Sequence, residues 1–118
     1  MQHIDETCIF CKLANGIIPT DMVYEDEQLA AFKDAAPLAP VHILIVPKEH
    51  KTNLNDYTEA DQALLGHILL VAKKIAKEQG LEKSGYRIVT NVGADAGQSV
   101  VHTHFHILGG RKLTFNKQ

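Results

Sequence analysis

Apolar residues recur along this chain at helical spacing in two places, and in alternating or uninterrupted runs in five others. Ile9, Phe10 and Leu13 predict the buried stripe of a short helix over residues 7–15, with Thr7 as N-cap and Gly16 closing it. Pro19 forces an extended exit. Residues 22–25 and 29–32 read as two short strands across an acidic turn at Asp26 and Glu27. Residues 34–40 are irregular, because Pro37 and Pro40 restrict their predecessors. His42 then opens Ile43-Leu44-Ile45-Val46, a largely β-branched run that ends at Pro47. A strand apolar at every position is buried on both faces and belongs at the centre of a sheet.

The clearest helix covers residues 58–79. Thr58 and Asp61 resemble a capping box, Leu64, Ile68, Val71, Ala72 and Ile75 form its core stripe, and Gly80 stops it. Residues 86–91 predict a strand, residues 93–99 a glycine-containing loop, and residues 103–108 the last strand. The pattern predicts an α+β fold, a mainly antiparallel sheet of about five strands with two helices covering one face.

Composition narrows the function. The 118 residues suit one domain, 1–118, and the net charge of −2 leaves no basic field for a nucleic-acid backbone or a membrane surface. The start of the chain lacks a signal-peptide pattern, no apolar run is long enough to span a bilayer, and the two cysteines sit in one C-x-x-C. Together these point to a reducing, cytoplasmic setting.

The residues with most chemistry lie in Gln98-Ser-Val-Val-His102-Thr-His-Phe-His106-Ile-Leu-Gly-Gly. On a strand, His102, His104 and His106 share one face, while Thr103, Phe105 and Ile107 point to the packed face. One histidine on a strand face is usually a spectator; three alternating behind a Gly-Gln-Ser loop are hard to explain as solvation. Two chemistries fit. Alternating imidazoles can chelate a transition metal. Alternatively, the central one acts as nucleophile or base toward phosphorus, with its neighbours as donors to phosphate oxygens. The preceding loop, Gly93 to Ser99, offers backbone N–H groups, an amide and a hydroxyl, which favours the second.

His102-Thr-His-Phe-His106-Ile-Leu resembles the signature of the histidine-triad (HIT) family. Further likeness runs through Cys8-Ile-Phe-Cys-Lys-Leu, Ile18-Pro19, Phe32-x-Asp34, Ala39-Pro-Val-His42, Pro47-Lys-Glu-His50, Asn91-x-Gly93, Gly97-Gln-Ser99 and Gly109-Gly-Arg111. The ensemble is similar to the Hint-like branch, purine nucleoside phosphoramidases, in its bacterial zinc-containing form. That resemblance implies a homodimer that continues one sheet, and a hydrolase cleaving the P–N bond of nucleoside phosphoramidates through a nucleotidyl-histidine. It implies His104 as nucleophile, with His106, Ser99, Gln98 and Asn91 contacting the phosphate and Asp34 bonding the ribose. Phe10, Leu13, Ile18 and Leu44 would line the base pocket, and His42 would buttress the triad. In any fold, however, Phe10, Leu13 and Leu44 suit a core and Asp34 suits a turn. His67 reads as a surface or packing residue.

The same resemblance implies structural zinc on Cys8, Cys11, His50 and His102, a closed tetrahedral set; otherwise the cysteines are small buried hydrophobes. Zinc on His102 would leave the chemistry to His104 and His106. Two departures from the family pattern stand out: Thr103 at a usually apolar position, and a tail over residues 111–118 without tryptophan, which bears on the leaving group. The alternatives are a dinucleoside polyphosphate hydrolase or nucleotide transferase, a nucleotide-binding regulatory protein with slow turnover, and a zinc enzyme using the whole triad as ligands. Transferases of this type carry a proline between the triad histidines, absent here.

Overall fold

The computed structural model describes residue 5 and residues 7–115. Five strands, β1 (Met22–Glu25), β2 (Leu29–Lys33), β3 (Val41–Pro47), β4 (Tyr86–Val89) and β5 (Phe105–Gly109), form one sheet in the order β1-β2-β3-β5-β4, every neighbouring pair antiparallel. The uniformly apolar β3 is central, as its composition requires. The helices are α1 (Ile9–Ala14) and α2 (Gln62–Glu78).

Contrary to expectation, the helices lie on opposite faces. Leu29, Ala31, Ile43, Ile45, Phe105 and Ile107 pack with Ile68, Val71 and Ile75 of α2, while Ala30, Phe32, Leu44 and Val46 pack with Phe10 and Ala14 of α1. The reason lies in β2 and β3. Because both are apolar on both faces, one helix leaves half their surface bare, at roughly 25 cal/mol for each Å² left wet. Four boundaries also move. The cap of α1 is Cys8, whose sulfur accepts from Cys11 N, while Thr7 bonds Asp5 instead. The capping box of Thr58 and Asp61 is present, but it closes a 3₁₀ turn (Glu59–Asp61) from which α2 follows.

The last strand starts two residues later than the alternation suggests. The N–H and hydroxyl of Thr103 both donate to Lys51 O, and Thr90 Oγ1 donates to His104 O at 2.9 Å, taking the acceptor a ladder bond would use. The same bond ends β4 at Val89 rather than at Asn91. The glycines that follow are steric necessities. A Cβ on Gly109 would lie 2.8 Å from Leu81 Cδ1, and Gly110 holds φ +94° against Pro40.

Asp26 ties the first hairpin to α2. Its Oδ1 accepts from Gln28 N and Leu29 N, each at 2.8 Å, and its Oδ2 accepts from Tyr24 Oη at 2.7 Å and from His67 Nε2 at 2.6 Å. Burial works to raise this carboxyl's pKa, but the bonds from His67, Tyr24 and the two amides prevail and bring it down from 3.8 to about 2. Since the folded state holds the carboxylate more tightly than the unfolded chain, the stabilisation is complete above the unfolded value and drains away as pH falls through the folded one. Asp26→Asn should therefore cost about 1–2 kcal/mol at pH 7, discounted for partial exposure. Urea midpoints should show the gap between variant and wild type closing from about pH 5 toward pH 2; a gap unchanged at pH 2.5 would refute this account.

Candidate active site and metal centre

His106 lies in β5 opposite Leu44 of β3, on the α1 face. His104 and His102 precede that strand in irregular chain, with His102 in a bend. The sequence suggested an unpacked face for all three. Instead His102 is fully buried, His104 is 5% exposed, and the ring of Phe10 meets both edge-on, 4.9 Å from His104 and 6.3 Å from His102. The second helix causes this, because α1 is laid over the histidines.

The three rings do not converge on one point. His104 Nδ1 lies 2.7 Å from His102 O, and since a carbonyl only accepts, Nδ1 carries the proton and the lone pair sits on Nε2. His106 has the opposite arrangement. Leu38 N–H donates to His42 Nδ1 at 3.0 Å, so the proton of His42 is on Nε2, which donates to His106 Nδ1 at 2.8 Å. His106 must then carry its own proton on Nε2. Asp34 Oδ2 lies 3.5 Å from His42 Nε2 and completes this row. Burial is the largest influence on His42, His104 and His106 and pushes all three down, His106 to about 4 with the help of its histidine neighbours, while Asp34 opposes in each case. At neutral pH the site therefore presents uncharged imidazoles, one with a lone pair and one with an N–H.

Beside them opens a cavity of about 490 Å³, in the range of small-molecule sites. Phe10, Leu13, Phe32 and Leu44 form an apolar wall, and Asp34, Ser99, His104 and His106 supply the polar groups. Of the residues singled out from sequence, Ile18, Asn91, Gln98 and His42 lie outside that wall. His42 stands behind His106. Gln98 holds the loop together: its Nε2 donates to Thr52 O and Val100 O, and its Oε1 accepts from Gly93 N and Asn53 Nδ2. Val100, Thr20 and Lys33 also line the cavity and were not singled out from the sequence. Val100, next to Ser99, was accessible from adjacency to the triad; Lys33 and Thr20 arrive through chain folding alone.

His102 faces the other way. Its Nδ1 lies 3.2 Å from Cys8 Sγ, 3.3 Å from Cys11 Sγ and 3.2 Å from His50 Nδ1, and Cys11 Sγ lies 3.3 Å from His50 Nδ1. A tetrahedron with ligands at about 2.0–2.3 Å has edges of roughly 3.3–3.8 Å, so these four residues could hold a metal ion. Two further observations fit that use. His102 Nε2 donates to Pro47 O at 2.8 Å, which turns the lone pair of Nδ1 toward the cluster. Cys11 N and Asp5 N donate to the sulfurs of Cys8 and Cys11. Burial, ahead of its neighbours, pushes the Cys11 thiol up to about 11, and a cation would draw off that proton.

Comparison with known proteins shows the family. The family model described as HIT domain matches residues 15–113. A HIT-like protein of Synechococcus elongatus is 51% identical over 112 residues, covering 95% of this chain and 97% of its own length. The crystal structure of a HIT family hydrolase from Legionella pneumophila superposes with a TM-score of 0.89 at 49% identity, over 92% of this chain and 96% of that one. A histidine triad protein from Clostridium difficile gives 0.90 at 49% identity, over 93% and 96%. With this cavity, these histidines and a match across most of its length, the chain belongs to the HIT domain family.

Proposed function

We propose that the protein hydrolyses the P–N bond of purine nucleoside phosphoramidates, such as AMP joined to an amine. The observation that carries this reading is the opposed tautomers of His104 and His106 on one cavity. His104 Nε2, with its lone pair held ready by the carbonyl of His102, attacks the α-phosphorus; the P–N bond breaks as the Nε2–P bond forms. His106 Nε2–H meets the phosphoryl oxygens or the departing nitrogen, and the amine leaves protonated. Water then cleaves the nucleotidyl-His104 and releases the nucleoside monophosphate. Ser99 donates to the phosphate, with Asn91 as a further contact, and Gln98 acts by fixing the loop that presents them. Asp34 accepts from the ribose hydroxyls. Phe10, Leu13 and Leu44 receive the base, with Ile18 at its periphery. The hydrolase description of the Legionella relative supports a hydrolytic outcome.

The metal we assign to Cys8, Cys11, His50 and His102 is zinc, the usual partner of two thiolates and two imidazoles. When bound it supplies cross-linking, leaving catalysis to His104 and His106. A homodimer completes the reading: β4 pairs with β5 on one side only, and a second copy would continue the sheet along its free edge. Among the described residues no helix is long and apolar enough to cross a membrane.

Two outcomes are expected. Given an adenosine phosphoramidate, His104→Ala should lose at least about 10³-fold in turnover, and the wild type should show an acid-labile nucleotidyl adduct at His104. Unchanged turnover in the variant would eliminate covalent catalysis. Elemental analysis should find about one zinc per chain, and Cys11→Ser should lose it together with a fall in thermal midpoint. A metal-free protein with the wild-type melting profile would remove the zinc site.

A further inference from the structure

The cysteine cluster is asymmetric in a way that holding a metal does not require. Cys11 is fully buried within α1. Cys8 stands just ahead of that helix, is only partly buried, and borders a surface groove of about 330 Å³ together with Ile9, His50 and Val101. The two sulfurs are nevertheless neighbours. With the two imidazoles they offer ligand atoms that all lie within 4.8 Å of one another, and Cys8 Sγ accepts from Cys11 N at 3.3 Å. One reachable thiolate backed by a buried one is the arrangement in which the first meets an oxidant and the second displaces the product.

We propose that Cys8 is the site at which small hydroperoxides oxidise this protein, that Cys11 resolves the product as an intramolecular disulfide, and that this releases the metal and unfastens α1. The Cys8 thiolate attacks the peroxide; the O–O bond breaks as an S–O bond forms, and the departing oxygen takes a proton and leaves as water or an alcohol. The Cys11 thiolate then attacks the sulfenic sulfur of Cys8; the S–S bond forms, and hydroxide leaves and takes a second proton. Two electrons have passed from the two thiolates to the peroxide, so no further oxidant is needed.

A disulfide removes both negative ligands of a divalent ion and leaves His50 and His102, too few for a closed tetrahedral site, so the ion departs. The loss reaches the cavity through the chain itself. Phe10 lies between the two cysteines, its ring 4.9 Å from that of His104, and with Leu13 it lines the cavity. A helix of six residues released by its sulfurs must rely on Phe10, Leu13 and Ala14 against the sheet. Oxidation therefore loosens the cavity wall while leaving His104 and His106 chemically untouched.

Zinc-loaded wild type treated with excess hydrogen peroxide tests this. Released zinc, read with a chromogenic chelator, should reach about one per chain in step with loss of both thiols. Peptide mass should place the loss of two hydrogens within one peptide that holds Cys8 and Cys11, and a dithiol reductant with added zinc should reverse both changes. Before any peroxide, one equivalent of N-ethylmaleimide should label Cys8 over Cys11 by at least about tenfold. In the oxidised protein, amide exchange over residues 9–14 should quicken by at least about tenfold while β3 keeps its protection. Only the turnover arm rests on the phosphoramidase reading: cleavage of an adenosine phosphoramidate should fall by at least about tenfold on oxidation and return on reduction. Thiols left intact with zinc retained, equal labelling of the two cysteines, disulfides between chains, or unchanged exchange over residues 9–14 would each overturn the proposal. Equal turnover by the oxidised and reduced forms would overturn the link to the cavity. Cleavage by neither form would sink the phosphoramidase reading, and the oxidation would then be decided by zinc, thiols and exchange.

Discussion

Everything at the working end of this molecule hangs on His102. Its side chain joins Cys8, Cys11 and His50, its Nε2 is tied to Pro47 O at the end of the central strand, and its carbonyl holds His104 Nδ1. One residue thus links the cluster, the sheet and the orientation of His104. It also explains how α1 survives. A helix of six residues cannot stand alone in water, since nucleation costs more than so few hydrogen bonds return. Here it is held by its sulfurs at one end and by Phe10 and Ala14 against the sheet. Because Ile9 and Phe10 lie between the two cysteines, anchoring the cysteines also sets the wall of the cavity beside His104.

The second organising fact is that two neighbouring histidines, chemically identical, are given opposite roles by what touches their Nδ1 atoms. A carbonyl beneath His104 and an imidazole N–H beside His106 place the free lone pair on one Nε2 and the proton on the other. Similar groups in dissimilar environments, assigned distinct tasks, are the usual way a site obtains both a nucleophile and a donor at one pH. The control reaches back two residues more, because His42 is itself set by Leu38 N–H.

Much of this was legible in the sequence, for reasons that can be named. The unbroken apolar run of β3 fixed its central place, and the alternation of His102, His104 and His106 marked the histidines that the fold sets between the cavity and the cysteine cluster. Other features were not legible. The alternation implied a regular strand, but Thr103 binds Lys51 O and Thr90 binds His104 O, contacts across 52 and 14 residues that no local pattern encodes. The cover over the histidines was missed because six residues carry too short a period to say which face they pack on. Cys8 as a cap was missed because sulfur is an unusual acceptor at that position, and it becomes intelligible only with Cys11 and His102 beside it. Gln98 looked like a phosphate ligand because it adjoins Ser99, whereas its amide is consumed within the loop.

Burial of three imidazoles has a consequence for the order of events. In the free site their low pKa values keep them neutral, with Asp34 as the opposing negative group. On the function proposed above, a phosphoramidate would bring further negative charge to within contact of His106, and a nearby anion favours the protonated imidazole. Binding would therefore raise the proton affinity of the site at the step where a departing amine needs a proton. On the same reading the lone pair of His104 would be spared that fate, because its Nε2 would face phosphorus rather than an oxygen, while its Nδ1 already spends its proton on the His102 carbonyl. The asymmetry created by that one carbonyl thus carries through from the resting site to the reacting one.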